Sequence, residues 1–479
     1  MTNNSSVAIR SEPSSGFDVK IAKIKALMGG TYAMRNAGET YLPQFEGEGD
    51  DHYKARKAMS VLFNGTQKTV NDMVSRVFEK PIELSEETDQ QFKDWAENIN
   101  MEGQDLSNFA ADVLSKGLQT GIQYLMVDAP AKQEGETART DDEEGNRPYI
   151  VSIDPEDVLG WKTTKVGNET VISQIRIQES VEEDKAGDEF AVETIKQIRV
   201  HDLIEGRVLV RVFRESKNAG SEAAGWVQHG EDAWIDLDRI TVTPFYAHRL
   251  SFFKGDPPLD DLSDLNVAHW QSNSDQRNIL HFARVPILFG SGFGKNEDIK
   301  ISASTITRSE DPAATLSFVE HSGAAIGAGQ KDLEHLEWMM ETHGLQLLVQ
   351  QNGPQTATGE NRNERKETSR LSMIADNLKD ALEICFGWMG DYQNIEFNGA
   401  VVINKDFASN FLDVAGLNAL ISMVNSGKLS KKSFWIEMVR RGVLREDFEL
   451  EDEQDFIDLE GDEFTDEVDV SGDKDEDED

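Results

Sequence analysis

Seven apolar positions, Leu371, Ile374, Leu378, Ala381, Cys385, Trp388 and Tyr392, recur at alternating intervals of three and four. At 3.6 residues per turn all seven fall on one face, so this stretch is predicted to be one long helix with a buried side. Just upstream, Gln351 to Gly359 is polar and contains both Gly and Pro. Before it, Leu333, Leu336, Met340, Gly344, Leu347 and Leu348 mark a second helix-period segment. Two helices joined by a small polar loop hold that loop at a fixed place. Enzymes use the device, and so do pores.

Charge narrows the choice. The net charge is −41 over 479 residues, and mean hydropathy is −0.51. From Glu446 to Asp479 there are twenty acidic residues against one lysine, Lys474. Such a tail cannot bury enough apolar surface to offset ordering entropy, so residues 446–479 are expected to be disordered. The rest of the chain is still acidic, unlike a protein that wraps DNA by neutralising phosphates. No run approaches the roughly 18 apolar residues a membrane span needs, and the first residues, Met1 to Ser6, do not resemble a signal peptide. The lone cysteine, Cys385, lies on the apolar stripe and reads as a small buried hydrophobe. The composition predicts a soluble, cytoplasmic, disulfide-free protein.

Along the chain, residues 1–16 are Ser- and Asn-rich and are expected to be disordered. Helices are predicted over Phe17–Met28, Asp50–Phe78 and Leu106–Leu118, then a strand over Ile122–Val127. Lys132–Gly145 is a charged loop. Strands follow at Tyr149–Ile153, Val171–Ile177, Glu193–Val200, Arg207–Phe213, Ala233–Ile235 and Ile240–Phe245. A helix over Asp260–Phe282 precedes short strands at Val285–Phe289 and Ile299–Ile306. The two long helices come next, then a strand at Ala400–Ile403 and a helix pair at Val414–Val424 and Lys431–Arg441. The fold class is mixed α+β.

Enzyme chemistry finds no support. Gly290 to Asn296 is glycine-rich and includes Lys295, but Phe289 stands where a phosphate loop needs its first glycine, and Asn296 follows the lysine. His335, Glu341 and His343 share a helix without the spacing that puts two imidazoles on one face. No catalytic residue, metal site or cofactor is expected.

Two basic stretches could meet nucleic acid. Lys428, Lys431, Lys432, Arg440, Arg441 and Arg445 lie on a helix–turn–helix outline. Leu417, Leu420, Phe434 and Met438 equally explain it as an ordinary packed pair. Arg362, Arg365, Lys366 and Arg370 open the long helix, interleaved with Glu360, Glu364 and Glu367 as in i,i+4 ion pairing. An acidic-tailed DNA-binding regulator using the basic helix pair 414–445 is the alternative to a conduit.

Several separated blocks together resemble the portal proteins of tailed bacteriophages. They are Ala37 to Pro43; Asp51 to Phe63; Asn64 to Pro81; Arg147 to Val151; and Asp154 to Trp161. Further on come Pro258 to Asn266 with His269, Trp270, Ser272, Asp275, Leu280 and His281; Thr356 to Glu360 with Glu367 to Leu371; and Gly427 to Leu444. The resemblance spans roughly residues 35–447 and rests on the order of the blocks; the long acidic tail departs from it.

The resemblance implies a subunit of a ring, typically dodecameric, at one capsid vertex of the virion. Double-stranded DNA would pass through it in packaging and ejection. It implies a wing (17–257), stem helix (258–284), β-containing clip (285–329), second stem helix (330–350), tunnel loop (351–359), long helix and wing return (360–404) and helical crown (405–445). Asn352, Gly353, Pro354, Gln355, Thr356 and Thr358 would face the tunnel, and Arg362, Arg365 and Lys366 would be candidates for DNA-backbone contact. Ile299, Ile301, Ser302, Thr305, Thr307 and Phe318 would form the clip surface. Implied partners are further copies of the chain, the terminase large subunit, head–tail adaptors, major capsid and scaffolding proteins, and DNA, with no membrane. Assembly would take place in the host cytoplasm. The polar run Gln271 to Asn278, inside a helix, would present a tunnel face and subunit contacts, or else a solvated face.

Overall fold

The computed structural model describes residues 5–14, 18–129, 147–185, 187–215, 225–284, 287–292, 312–319, 324–346, 357–404, 414–440, 444 and 453. Contacts divide the chain into two units, Met1–Lys405 and Asp406–Asp479. The first is mixed α+β. It begins with α1 (Asp18–Met28), α2 (Gly30–Ala37), α3 (Asp50–Met59), α4 (Gly65–Val77), β1 (Glu83–Leu84), α5 (Gln90–Ala96) and α6 (Leu106–Thr120). The single helix expected over Asp50–Phe78 is therefore two. Ser60 is extended (φ −66°, ψ 136°), and the Asn64 side chain accepts the Gln67 N–H at 3.0 Å, capping a new helix.

Two antiparallel sheets follow. β2 (Ile122–Asp128) lies between β3 (Tyr149–Ile153) and β9 (Val242–Tyr246). β4 (Val158–Val166), β5 (Glu169–Asp184), β6 (Val192–Ile204), β7 (Arg207–Glu215) and β8 (Trp226–Ile235) pair in chain order as a meander. Tyr124, Met126 and Val242 of the first sheet share a core with Ile172, Ile175 and Ile177 of the second. α6 packs against β2 from elsewhere, so β2 is buried along nearly its whole length and reads as a near-continuous apolar run. Gly121 ends α6 with φ +81°, and a Cβ there would collide with the Asp256 backbone, so glycine serves both the turn and the close approach.

The N-terminal segment departs from expectation. Ser5–Ala8 and Glu12–Ser14 are short 3₁₀ turns lying along the five-stranded sheet. Arg176 of β5 donates to the carbonyls of Ser6, Val7 and Ile9 at 3.0, 2.7 and 2.9 Å, and the Ser11 N–H reaches the Leu159 carbonyl at 2.8 Å. Backbone carbonyls gathered by one guanidinium order a sequence whose composition suggested disorder.

β10 (Arg249–Ser251) and β11 (Lys254–Gly255) form a small hairpin before α7 (Asp260–Ala283). Next come β12 (Ile287–Ser291) and β13 (Thr315–Val319), an antiparallel pair in register Ile287↔Val319 to Ser291↔Thr315. α8 (Ala324–Gln346), α9 (Ala357–Gln393) and β14 (Val401–Val402) complete the unit. α8 starts earlier than the sequence suggested, inside the stretch assigned to residues 285–329, and α9 starts inside the expected loop 351–359. On α9 the Leu371, Ile374, Leu378, Ala381 and Cys385 stripe is buried, widened by Ala375, Leu382, Phe386 and Met389. Each fully covered Leu, Ile, Phe or Met there stabilises the fold by about 1.5–3 kcal/mol.

In the second unit, α10 (Val414–Asn425) and α11 (Lys431–Arg440) agree closely with the predicted pair. Gly427, at φ +69°, makes the turn, and Ser430 accepts the Ser433 N–H at 3.1 Å to start α11. The expected charged loop Lys132–Gly145 and, Glu453 apart, the acidic tail lie outside the described residues.

Candidate functional site

The segment that most needs explaining is the polar run inside α7. Three contacts set its geometry against α8. His269 Nε2 lies 3.2 Å from Glu337, Ser272 Oγ donates to Asp332 at 2.7 Å, and Gln276 Nε2 donates to the Ile326 carbonyl at 2.9 Å. As the α7 number rises the α8 number falls, so the helices are antiparallel, joined at one end by the β12–β13 side of the chain. At Gly329 a Cβ would overlap the Gln276 carboxamide. Glycine there brings the α8 backbone onto Gln276, which is buried with its amide satisfied.

The other side of the run is anchored to the loops before and after α3. Gln271 donates to the Tyr41 carbonyl at 3.0 Å and Asn273 to the Val61 carbonyl at 2.8 Å. The Ser274 and Ser60 hydroxyls are 2.9 Å apart. Asn266, fully buried, accepts from the Thr66 N–H at 3.0 Å and donates to the Phe63 carbonyl at 2.7 Å. The polarity of Gln271–Gln276 is thus accounted for by partners within this chain, while Arg277, further along the run, is exposed.

Arg56 of α3 is the centre of this anchorage. Its side chain is 2% exposed, pairs with both Glu48 carboxylate oxygens at 2.8 Å, donates to the Pro43 carbonyl at 2.7 Å and reaches Asp275 of α7 at 3.7 Å. The Phe45 ring covers its guanidinium at 4.1 Å. The Arg56 hydrogen bonds hold the Glu48 carboxyl below the ordinary value near 4.5. Burial pushes the Asp275 carboxyl up, against the opposing pull of Arg56. The start of α7 is tied separately to α1: Lys20 pairs with Asp256 and Asp260 at 3.1 and 3.0 Å, and Lys23 with Asp260 at 2.9 Å and with Asp264. Acidic residues in a first helical turn also suit the helix dipole.

The sequence-predicted residues divide three ways. Thr358 lies in the first turn of α9, not in a loop, because the helix begins at Ala357. Arg362, Arg365 and Lys366 lie on α9 ahead of its buried stripe. Phe318 lies on β13, opposite Leu288 of β12. Asn352, Gly353, Pro354, Gln355, Thr356, Ile299, Ile301, Ser302, Thr305 and Thr307 fall outside the described residues, as does the strand expected at Ile299–Ile306. His335 stacks on Trp338, with ring centroids 5.9 Å apart. Burial pushes the Cys385 thiol up, so it is held as the neutral thiol. Lys428, Lys431 and Lys432 are exposed on and before α11. Arg56 and Gly329 were not singled out by sequence; Gln276 lies in the polar run Gln271–Asn278, which was the available signal.

A family model described as a domain of unknown function, DUF4055, matches residues 258–393, from just before α7 to the end of α9. No curated protein matches the chain. Among solved structures, the neck of a native GTA particle computed with C12 symmetry is similar at 10% identity and TM-score 0.38. The virion of a native gene transfer agent particle is similar at 9% and 0.39, and the neck of an empty GTA particle computed with C6 symmetry at 10% and 0.37. Each likeness covers 79% of this chain and 89% of the other. Likenesses this distant assign nothing to the chain by themselves. Among the described residues, no helix is long and apolar enough to cross a membrane.

Proposed function

We propose that the chain is a portal subunit of a tailed bacteriophage: a ring-forming head–tail connector at one capsid vertex, through which double-stranded DNA is packaged and ejected. The observation that carries this reading is the order α7, β12–β13, α8, α9. An antiparallel helix pair bears a β-ribbon between its two arms, and the chain then returns into the mixed core along one long helix. That order coincides with the blocks through which the sequence resembles portal proteins. In this reading α7 and α8 are the stem, the residues between them the clip, and residues 351–356 the tunnel loop.

The electrostatics support a conduit over a reader. A channel that DNA traverses must not hold it, and an acidic subunit repels phosphates over most of its surface. Arg362, Arg365 and Lys366, close to the loop, supply weak backbone contact. The clip, including Phe318, is the docking place for the terminase large subunit and then for head–tail adaptors, and the wing faces major capsid and scaffolding proteins. The reading assigns the chain no catalytic role: force and hydrolysis belong to the motor it docks. Further copies, twelve in a virion ring, complete the tunnel.

The test is a replacement of Gly353, Pro354 and Gln355 by tryptophan in the full chain. Expected are particles that carry rings but contain no packaged DNA. Normal DNA filling in that variant contradicts the reading.

A further inference from the structure

The five-stranded sheet has two features that its own packing does not explain. The first is an arm. β4 last pairs with β5 at Val158↔Ile177, and β7 last pairs with β6 at Arg214↔Gln197. Beyond those points, among the described residues, Ser180–Asp184 and Val192–Lys196 pair only with each other. The arm is stiff. Arg199 pairs with Glu179 at 2.6 Å at its base, and Arg214 with Glu183 at 2.8 Å further out. Its tip is an ordered turn in which Asp188 accepts the Phe190 N–H at 3.2 Å. Phe190 is 92% exposed there and Val192 61% exposed. Glu182, Asp184 and Glu189 surround that apolar tip, with Lys185 their near neighbour in sequence. An aromatic side chain held out in water by a rigid hairpin is costly surface for a monomer.

The second is a cavity of about 410 Å³ on the same sheet, under the N-terminal segment. Its lining brings together Lys162, Arg176 and Arg211 with Trp161 and Phe213. Asp202 neutralises part of that charge through Arg211 at 2.5 Å, yet the buried Arg211 Nε finds no hydrogen-bond partner among the described residues. The cavity is cationic with aromatic walls; the arm tip is acidic with an aromatic point. From Arg176 to the end of β5 is eight residues, about 25 Å of strand, so a rigid arm cannot fill its own cavity.

The geometry points to a lock between neighbouring copies of this chain, in which the Phe190 tip of one copy seats in the Lys162–Arg176–Arg211 cavity of the next. It rests on the ring reading and deepens it. A closed ring needs two different, complementary patches on each subunit, because its contacts run head to tail. An aromatic anchor in a pocket with opposite charges around it is what such a patch pair requires.

The test uses the full chain with two substitutions at the rim of the contact, Glu189→Cys and Lys162→Cys, which leave Phe190 in place, and a short bismaleimide; Cys385 is buried and does not compete. The doubly substituted chain is expected to give a covalent ladder up to ring size. A mixture of the two single variants is expected to give dimers and stop there, and either variant alone to stay monomeric on a denaturing gel. Microscopy of the same samples separates the two ideas. Rings that show no cross-linking overturn the lock and leave the ring reading standing. A chain that neither cross-links nor forms rings overturns the lock and counts against the ring as well.

Discussion

α9 and α7 are both long helices in the same unit, and they are held in opposite ways. The second half of α9 is fixed by apolar burial: Leu378, Leu382, Phe386 and Met389 are completely covered, and Phe386 stacks on Phe397 at 5.3 Å. α7 also buries Leu262 and Trp270, but from Asn266 through Ser272 to Gln276 its register is fixed by polar pairs. Apolar contact is strong and nearly indifferent to small slides. A satisfied buried hydrogen bond contributes only about 0.5–1.5 kcal/mol net, yet each one names a single register. Sliding α8 by one turn would break the His269–Glu337, Ser272–Asp332 and Gln276–Ile326 contacts together. The core supplies stability, and the seam supplies alignment.

That contrast can be broken by measurement. The largest effect is expected for Phe386→Ala, which removes a ring from the centre of the apolar contact. It should lower unfolding free energy by about 3–5 kcal/mol in denaturant titration. Next is Glu48→Gln, which leaves the buried Arg56 guanidinium only the more distant Asp275 as a charge partner and should cost about 3 kcal/mol. Its pH dependence sharpens the point. The folded-state pKa of Glu48 is below its unfolded value, so the stabilisation is complete above about pH 4.5 and is lost as pH falls through the folded pKa. The wild-type chain should therefore lose stability more steeply than Glu48→Gln on acidification below pH 4.5.

Smaller effects belong to the seam. Gly329→Ala should displace the Gln276 carboxamide from the Ile326 carbonyl and cost about 1–3 kcal/mol. Its signature is faster amide exchange in α7 and α8 with α9 unchanged. Ser272→Ala removes a surface bond and should cost less than about 1 kcal/mol. If these two cost as much as Phe386→Ala, the seam is a second core and the contrast fails.

The same contrast decides what could be read from sequence. The α9 stripe, α6, β2 and β3 carry strong periodicity or continuous apolar runs, and their predicted bounds lie close to those observed. β4 went unrecognised because Lys162, Thr163, Thr164 and Lys165 leave its second half polar and exposed. The break in Asp50–Phe78 rests on Ser60 and on the Asn64 cap, signals weaker than the apolar pattern flanking them. The beginning of α8 was hidden because Gly327 and Gly329 look like turn residues. At Gly329 the glycine is explained by Gln276, 53 positions earlier, a pairing no local pattern reveals. The polar run in α7 was noticed as anomalous, but its partners Tyr41, Val61 and Ser60 lie some two hundred residues away.

The most direct test of the central claim is the mass of the purified full-length chain by light scattering after size exclusion, with microscopy of the heaviest peak. The ring predicts a particle of about 640 kDa, twelve times 53.5 kDa, with an axial hole and no retention of DNA at physiological salt. A monomer or dimer at every concentration, binding DNA in a salt-sensitive way that is lost on replacing Lys428, Lys431 and Lys432, would contradict it and favour a DNA-binding regulator.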